Sequence, residues 1–308
     1  MIQNSGAVSQ QFLTNLQLLQ QQMAATQQQI SSGTKISQAS DAPNSVGDVL
    51  QLESDLGSVH QVTSNLNLVS GEVNSAESAL QTATQMLDQV ASLAAEGVSN
   101  TVSAASRSTF SQQVSEILST LVSTSQTQFN GAYVFGGDQS TAPSYQLDLS
   151  NPNGVDRLTT TQSTRLIQDA SGITFAVSKT AQDIFDHRNP DDSLASDNIF
   201  AAVNSLRIAL ANNDQPGISA AITSIKTAQN YVSQQLAFYG GVQNQISNAL
   251  DVAQKFQLQD QTSLSQMKDT DVAAASISLS QEQASYQAAI QAESAMPRTS
   301  LFSFLSGN

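Results

Sequence analysis

The sequence predicts a mainly α fold, in which long antiparallel helices from the two chain ends nest as a coiled-coil-like rod, with a small β-rich insertion at the turn-around. Two apolar runs and one change of period predict it. The first run reads Val49, Leu52, Leu56, Val59, Leu66, Val73, Leu80, Leu87 and Val90, with Thr63, Ser70 and Thr84 on weaker beats. The second reads Ile218, Ile222, Ile225, Gln229, Val232, Leu236, Tyr239, Gln243, Ile246, Leu250 and Ala253. Steps of three and four keep a narrow stripe on one side of a helix, the geometry of a helix–helix seam. Between the runs, over residues 136–186, Tyr145, Leu147 and Leu149, and later Ile173, Phe175 and Val177, alternate with other residues, which is the period of a strand.

Each element follows in order. Phe12, Leu16, Leu19, Met23, Thr26 and Ile30 mark a first helix ending at Ser31-Ser32-Gly33, where glycine takes the left-handed capping conformation. In the loop Ser40-Asp41-Ala42-Pro43, Asp41 reads as an N-cap and Pro43 as the opening turn of the next helix. That helix reaches Glu96-Gly97, and its ~45 residues would span ~70 Å. Gly57 and Gly71 weaken it by ~1 kcal/mol each. Phe110, Val114, Ile117, Leu121, Thr124 and Gln128 predict a further helix ending at Asn130-Gly131. Gly131-Ala132-Tyr133-Val134-Phe135-Gly136-Gly137 then reads as the junction into the insertion, whose hairpins turn at Asn151-Pro152-Asn153-Gly154 and Asp169-Ala170-Ser171-Gly172.

Helix resumes at Asp197-Asn198 with Ile199, Val203, Leu206 and Leu210, and Pro216-Gly217 separates it from the second long seam. Gly240-Gly241 inside that seam implies a close backbone approach or a gentle bend. A last helix runs from Asp271 with Val272, Leu279, Tyr286 and Ile290 in line, reaches Pro297 and gives way to an apolar tail, Leu301 to Leu305. The expected division is 1–40 with 265–308 as a terminal helical domain, 41–135 with 190–264 as the helical rod, and 136–189 as the inserted β domain.

Composition narrows the function. Eleven Lys and Arg against 25 Asp and Glu give a net charge of −14, the wrong sign and density for neutralising phosphates or anionic membranes. No run approaches the ~20 apolar residues that span a bilayer. The opening Met1-Ile2-Gln3-Asn4-Ser5-Gly6 lacks the basic and apolar regions of a secretory signal. Cysteine is absent, so disulfides, thiolate chemistry and Cys-based zinc sites are excluded.

Of the two histidines, His60 sits beside Val59 on the rim of a seam, and His187 lies in the acidic stretch Asp183 to Asp192. Carboxylates of that density suit a hard cation, but the regular Asp-x-Asp-x-Asp-Gly loop is missing and acidic helix capping accounts for them more simply. No nucleophile elbow, phosphate loop or His-Glu-x-x-His occurs. The expectation is therefore a protein with no catalytic, metal or cofactor-binding residues.

Gln27-Gln28-Gln29-Ile30-Ser31-Ser32-Gly33-Thr34-Lys35-Ile36 followed by Ser40-Asp41-Ala42-Pro43 resembles the N-terminal signature of the flagellin superfamily. Asp269-Thr270-Asp271-Val272-Ala273-Ala274-Ala275, Leu279-Ser280-Gln281-Glu282-Gln283 and Ser300 to Leu305 resemble its C-terminal end, and Tyr239 to Ile246 is similar to an inner segment. The resemblance covers nearly everything except the insertion. Asn130 to Gly137 with Thr141 to Tyr145 resembles the wording of the hook-associated, junction-forming branch, where flagellins usually carry a different segment. Gln89 and Ala91 replace the arginines of a stretch that immune receptors read in some flagellins, and Pro297 and Thr299 interrupt the family's terminal apolar helix.

The resemblance implies an extracellular structural subunit of the bacterial flagellum, an adaptor between hook and filament, exported unfolded without a cleaved signal. Flagellin itself is the alternative, and a helical scaffold or adhesin outside flagella the second. Implied partners are further copies, neighbouring axial proteins (flagellin, another hook-associated protein) and an export chaperone, with no nucleic acid and no membrane. Pattern and resemblance together assign the assembly interface to Phe12, Leu16, Leu19, Met23, Ile30, Val272, Leu279, Tyr286, Ile290, Leu301, Phe302 and Leu305.

Overall fold

The computed structural model describes residues 3–38 and 40–295. In chain order the elements are α1 (Gln3–Ser32), α2 (Val46–Gly97), α3 (Ala104–Ser125), β1 (Gln128–Phe129), β2 (Ala132–Tyr133), β3 (Tyr145–Leu147), β4 (Val155–Arg157), β5 (Leu166–Gln168), β6 (Thr174–Ala176), α4 (Ala181–Ile184), α5 (Ile199–Ala211), α6 (Gln215–Lys268) and α7 (Val272–Ala295). The protein is mainly α with small antiparallel hairpins, as the periods predict. It divides into two compact units, 58–257 and the paired termini 1–57 with 258–308.

The 58–257 unit is built on α2 and α6. Leu66, Val69, Val73, Ala76, Leu80, Ala83, Leu87, Val90 and Ala94 of α2 are buried, an unbroken alternation of three and four. Ile218, Ala221, Ile225, Ala228, Val232, Gln235, Tyr239, Val242, Ile246, Ala249 and Ala253 of α6 repeat it. In this unit every strong beat predicted for the first stripe is buried and only its weaker beats are displaced, whereas about half of the second stripe is displaced by one residue. Ser70, Thr84, Gln229, Leu236 and Gln243 lie on the shoulder, and their neighbours Val69, Ala83, Ala228, Gln235 and Val242 fill the seam. Small alanines carry several of these beats, Ala76, Ala83, Ala221, Ala228 and Ala249. The displaced polar residues hydrogen-bond along the shoulders instead. Gln229 Nε2 donates to Asp88 at 2.8 Å, Ser70 donates to Gln243 at 3.4 Å, and Gln243 also meets Asn74. Thr84 donates back to the Leu80 carbonyl at 2.9 Å. His60 is exposed, where a rim residue belongs.

α3 starts from Ser103, whose side chain accepts the Ser106 backbone N–H, and ends at Ser125, earlier than its apolar stripe implies. Asn130-Gly131 does not end that helix. Both residues have positive φ, 51° and 81°, and they form the two-residue turn between β1 and β2, in which Phe129 pairs with Ala132. Such a turn requires φ > 0 at both positions, and Asn-Gly meets that at least cost. β3 pairs with β4 and β5 with β6, so the insertion holds two separate two-stranded hairpins, and the β1–β2 hairpin stands just before it. The β5–β6 turn is closed by Asp169, whose carboxylate accepts the backbone N–H groups of Ser171 and Ile173, each at 2.9 Å.

Hairpins and helices share one core. Phe135 meets Phe185 and Tyr239 edge-on at 5.5 and 6.2 Å, and Phe200 lies 5.4 Å from Tyr145 and 5.8 Å from Phe185. Lys179 fastens this region to α6, donating through Nζ to the buried Gln235 at 2.7 Å and through its backbone N–H to the Tyr239 hydroxyl at 3.2 Å.

The acidic stretch resolves into capping and pairing. Thr180 and Asp183 form a capping box on α4. His187 Nδ1 lies 2.7 Å from Asp197 and its ring stacks on Tyr231 with centroids 4.8 Å apart. Among the described residues no three His, Asp or Glu side chains are grouped to hold a metal ion. Asn198 caps α5, and Asp214 caps α6 by accepting the Gly217 N–H at 3.1 Å, with Pro216 in the first turn.

Candidate assembly surface

The paired termini begin with an absence of charge. No ionisable side chain occurs between residues 3 and 34, and α1 is instead rich in glutamine, leucine and serine. Its faces differ only in apolarity. Phe12, Leu16, Leu19, Met23, Thr26 and Ile30 are half-buried, while Leu13 and Leu18 on either flank are more than half exposed.

The opposing stripe belongs to α7. Asp271 starts that helix by accepting the Ala274 N–H at 3.0 Å. Ala275 is buried, and Leu279, Glu282, Tyr286 and Ala289 are half-buried in steps of four and three. Gln20 Nε2 donates to the Tyr286 hydroxyl at 2.8 Å and the Thr26 hydroxyl donates to Glu282 Oε1 at 3.2 Å. One position climbs as the other falls, so the helices are antiparallel. Val272 and Ile290 are 48% and 44% exposed, because they lie about 60° around the helix from the centre of the stripe at 3.6 residues per turn. Leu301, Phe302 and Leu305 lie outside the described residues.

A backbone clasp holds the base of this pair. Gly33, at φ 72°, ends α1 as its glycine signal predicts. The chain then runs antiparallel to the α6–α7 connection. Lys35 donates its backbone N–H to the Lys268 carbonyl at 2.7 Å, and Thr270 donates to Gly33 at 2.9 Å. Ile36 is buried beneath them. The end of α6 draws cations, as a helix C-terminus favours. Lys35 Nζ donates to the Gln266 carbonyl at 2.8 Å, and Lys268 pairs with Glu53 at 2.8 Å.

Asp41 departs from its expected role. Its carboxylate accepts the N–H groups of Gln38 and Ser37 at 2.8 and 2.9 Å, which holds its carboxyl below the usual carboxylate range. The chain makes a turn before α2 begins at Val46, and Pro43 belongs to that turn. An Asp bonds backwards as readily as forwards when the preceding loop presents its N–H groups.

The surface thus consists of a partly filled seam between two nearly uncharged helices, flanked by exposed Leu13, Leu18, Val272, Ile277 and Ile290. Such a surface offers apolar area and neutral hydrogen-bonding groups to another helix. Reading for apolar residues alone overlooked the polar beat at Glu282, although its place three after Leu279 and four before Tyr286 is a seam spacing. The open groove of about 630 Å³ between α2 and α3 is lined by amides, hydroxyls and apolar groups with Glu116 as its one ionisable side chain, which supplies no acid–base pair.

Residues 4–140 match the family described as the bacterial flagellin N-terminal helical region. No curated protein matches the chain. Among solved structures, one described as a flagellar hook-associated protein of Vibrio parahaemolyticus superposes with a TM-score of 0.64 at 18% identity, covering 74% of this chain and 100% of that one. Hook-associated protein 3 of Legionella pneumophila superposes with a TM-score of 0.61 at 12% identity, over 71% and 98% of the two chains. FlgL of Bacillus cereus gives 0.55 at 13% identity, over 71% and 100%. At these identities the likeness is one of fold.

Proposed function

We propose that this chain, whose N-terminal region matches that of flagellin, is a structural subunit of the bacterial flagellum that acts as the adaptor between hook and filament. The observation that carries the reading is the α1–α7 pair. Its seam is only half-buried in one chain, its two helices carry little charge, and its apolar side chains are left for other subunits to cover. The fold it shares with hook-associated proteins supports the hook-side role over the filament itself. Partners are then further copies and neighbouring axial proteins, met through Phe12, Leu16, Leu19, Met23, Ile30, Val272, Leu279, Tyr286 and Ile290, together with Leu301, Phe302 and Leu305 of the apolar tail. Burial of that surface at ~25 cal/mol per Å² drives the joining. The location is the extracellular flagellum, reached by unfolded export without a cleaved signal and with a chaperone on the terminal helices.

Electron microscopy of flagella from a strain lacking the gene, with an immunoblot of the medium for filament protein, tests the reading. Bare hooks with filament protein shed into the medium are expected. Thinned or shortened filaments on complete hooks would instead make the chain a filament subunit, and normal flagella would end the flagellar reading.

A further inference from the structure

The dipeptide Asn-Gly occurs twice in the chain, at Asn130-Gly131 and at Asn153-Gly154, and the fold gives the two opposite surroundings. In this pair the backbone nitrogen reaches the preceding carboxamide most easily, because glycine has no Cβ to hinder the approach. At the first site both residues are exposed, and a Cβ on Gly131 would meet nothing within 4 Å. Neither the Asn130 carboxamide nor the Gly131 N–H has a hydrogen-bond partner among the described residues. At the second site Asn153 is only 4% exposed and its Nδ2 donates to the buried Asp186 at 3.0 Å. Gly154 there donates its N–H to the Asn151 carbonyl at 2.9 Å.

We propose that Asn130 is a site of spontaneous covalent modification, at which the folded protein deamidates and isomerises, while Asn153 is protected. The Gly131 backbone nitrogen gives up its proton to solvent and bonds to Asn130 Cγ. The Cγ–Nδ2 bond breaks, and Nδ2 takes a proton from water and leaves as ammonia. Water then adds to either carbonyl of the five-membered imide and breaks one of its two carbon–nitrogen bonds, leaving aspartate or isoaspartate at position 130. Water is the only co-reactant, and nothing is oxidised or reduced. The proposal goes beyond the flagellar reading and does not depend on it, because it concerns the purified chain in solution.

Ring closure swings the Gly131 nitrogen out of the two-residue turn, in which Asn130 and Gly131 hold φ at 51° and 81°. The tip of the hairpin must therefore open, and it is held by the pairs Phe129 with Ala132 and Gln128 with Tyr133. Opening a short hairpin tip costs much less than unfolding the core around Asp186, which release of Asn153 requires. Isoaspartate adds one carbon to the backbone, so the turn cannot reclose in its register. Phe129, whose ring lies against Gly71 of α2, would then lose its position.

Peptide mapping by mass spectrometry of the full-length protein, aged while folded in warm, mildly alkaline buffer, tests it. No Lys or Arg lies between Arg107 and Arg157, so both sites fall in one tryptic peptide and fragment masses assign the conversion to each. Conversion at Asn130 is expected to run about tenfold faster than at Asn153, or more, and the gap should close when urea unfolds the chain. Phe129→Ala, which loosens the hairpin tip, should speed conversion at Asn130 in the folded protein and leave its rate in urea unchanged. Equal rates at the two sites in the folded protein, or conversion at Asn130 only in urea, overturn the proposal. A folded Phe129→Ala variant that converts no faster than the wild type overturns the opening step. If that variant does not fold, the comparison of the two sites in the wild type decides alone. Either result leaves the flagellar reading to its own test on intact flagella.

Discussion

Arg188 donates through Nε to Asp186 Oδ2 at 2.9 Å, and the Asp186 carboxylate is completely buried. Asn153 and Asn198 donate to its other oxygen at 3.0 and 2.8 Å, and the Tyr145 hydroxyl approaches Oδ2 at 3.3 Å. One carboxylate thereby joins the β3–β4 hairpin, the stretch after α4 and the start of α5. A buried charge is tolerable only when its oxygens are satisfied and a counter-charge is present.

Removing the counter-charge should be severe. Arg188→Met takes away the cation hydrogen-bonded to the buried carboxylate, and a loss of about 3–5 kcal/mol is expected in urea unfolding. A loss below about 1 kcal/mol would mean that the neutral donors alone hold the charge.

Two glycines of α2 should respond in opposite senses. A Cβ on Gly71 would stand 2.7 Å from Cζ of Phe129, whereas one on Gly57 meets nothing within 4 Å. Gly57→Ala should stabilise by up to about 1 kcal/mol through helix propensity alone. Gly71→Ala sets the same gain against an overpacking cost of about 1–3 kcal/mol, so it should fall below Gly57→Ala in thermal midpoint.

The register of the long seam is open to direct test. Ala83 is completely buried and Thr84 lies on the shoulder. Ala83→Leu should lose about 1–3 kcal/mol by overpacking, and Thr84→Ala less than about 1 kcal/mol. The reverse ranking in denaturant titrations would restore Thr84 to the seam.

Alkaline pH should dismantle the 58–257 unit. Burial pushes the Tyr231 hydroxyl up to about 12, helped by the charges of Asp197 and Asp183. Burial raises Tyr145 and Tyr239 further, with Asp186 adding to the effect at Tyr145. A pKa raised on folding means that the folded state disfavours the phenolate. The stability tied to these groups is therefore fully present below the unfolded value near ~10 and is lost as pH rises through the folded ones. The thermal midpoint should fall from about pH 10 upward, with these three phenolates developing at 295 nm together with the loss of helical circular dichroism. Phenolate absorbance from all five tyrosines while helicity stays intact would contradict the burial.

The elements that sequence reading placed best are those with a strong local cause. Gly33 ends α1, Asp271 starts α7, and the turns at 151–154 and 169–172 close hairpins because glycine conformation and Asp or Asn side-chain bonding act over a few residues. The Asn130-Gly131 hairpin was equally local, and it went unrecognised because the apolar stripe before it continued at helical spacing. Asp41 shows the limit of capping signals, since one carboxylate has loops on both sides to bond. In the terminal pair, the apolar beats of α1 were legible, whereas the part of Glu282 depends on where Thr26 stands 256 residues away.

By itself the sequence determined that two long helices carry seams of period three and four, that hairpins lie between them, and that the N-terminal helix is uncharged. These follow from periodicity and composition, which act along the chain. The tertiary structure alone decided which neighbour of each pair enters the seam, Ala83 rather than Thr84 and Ala228 rather than Gln229. Adjacent helix positions differ by only about 100°, so which of the two is buried depends on how the helix is rotated against the elements packed on it.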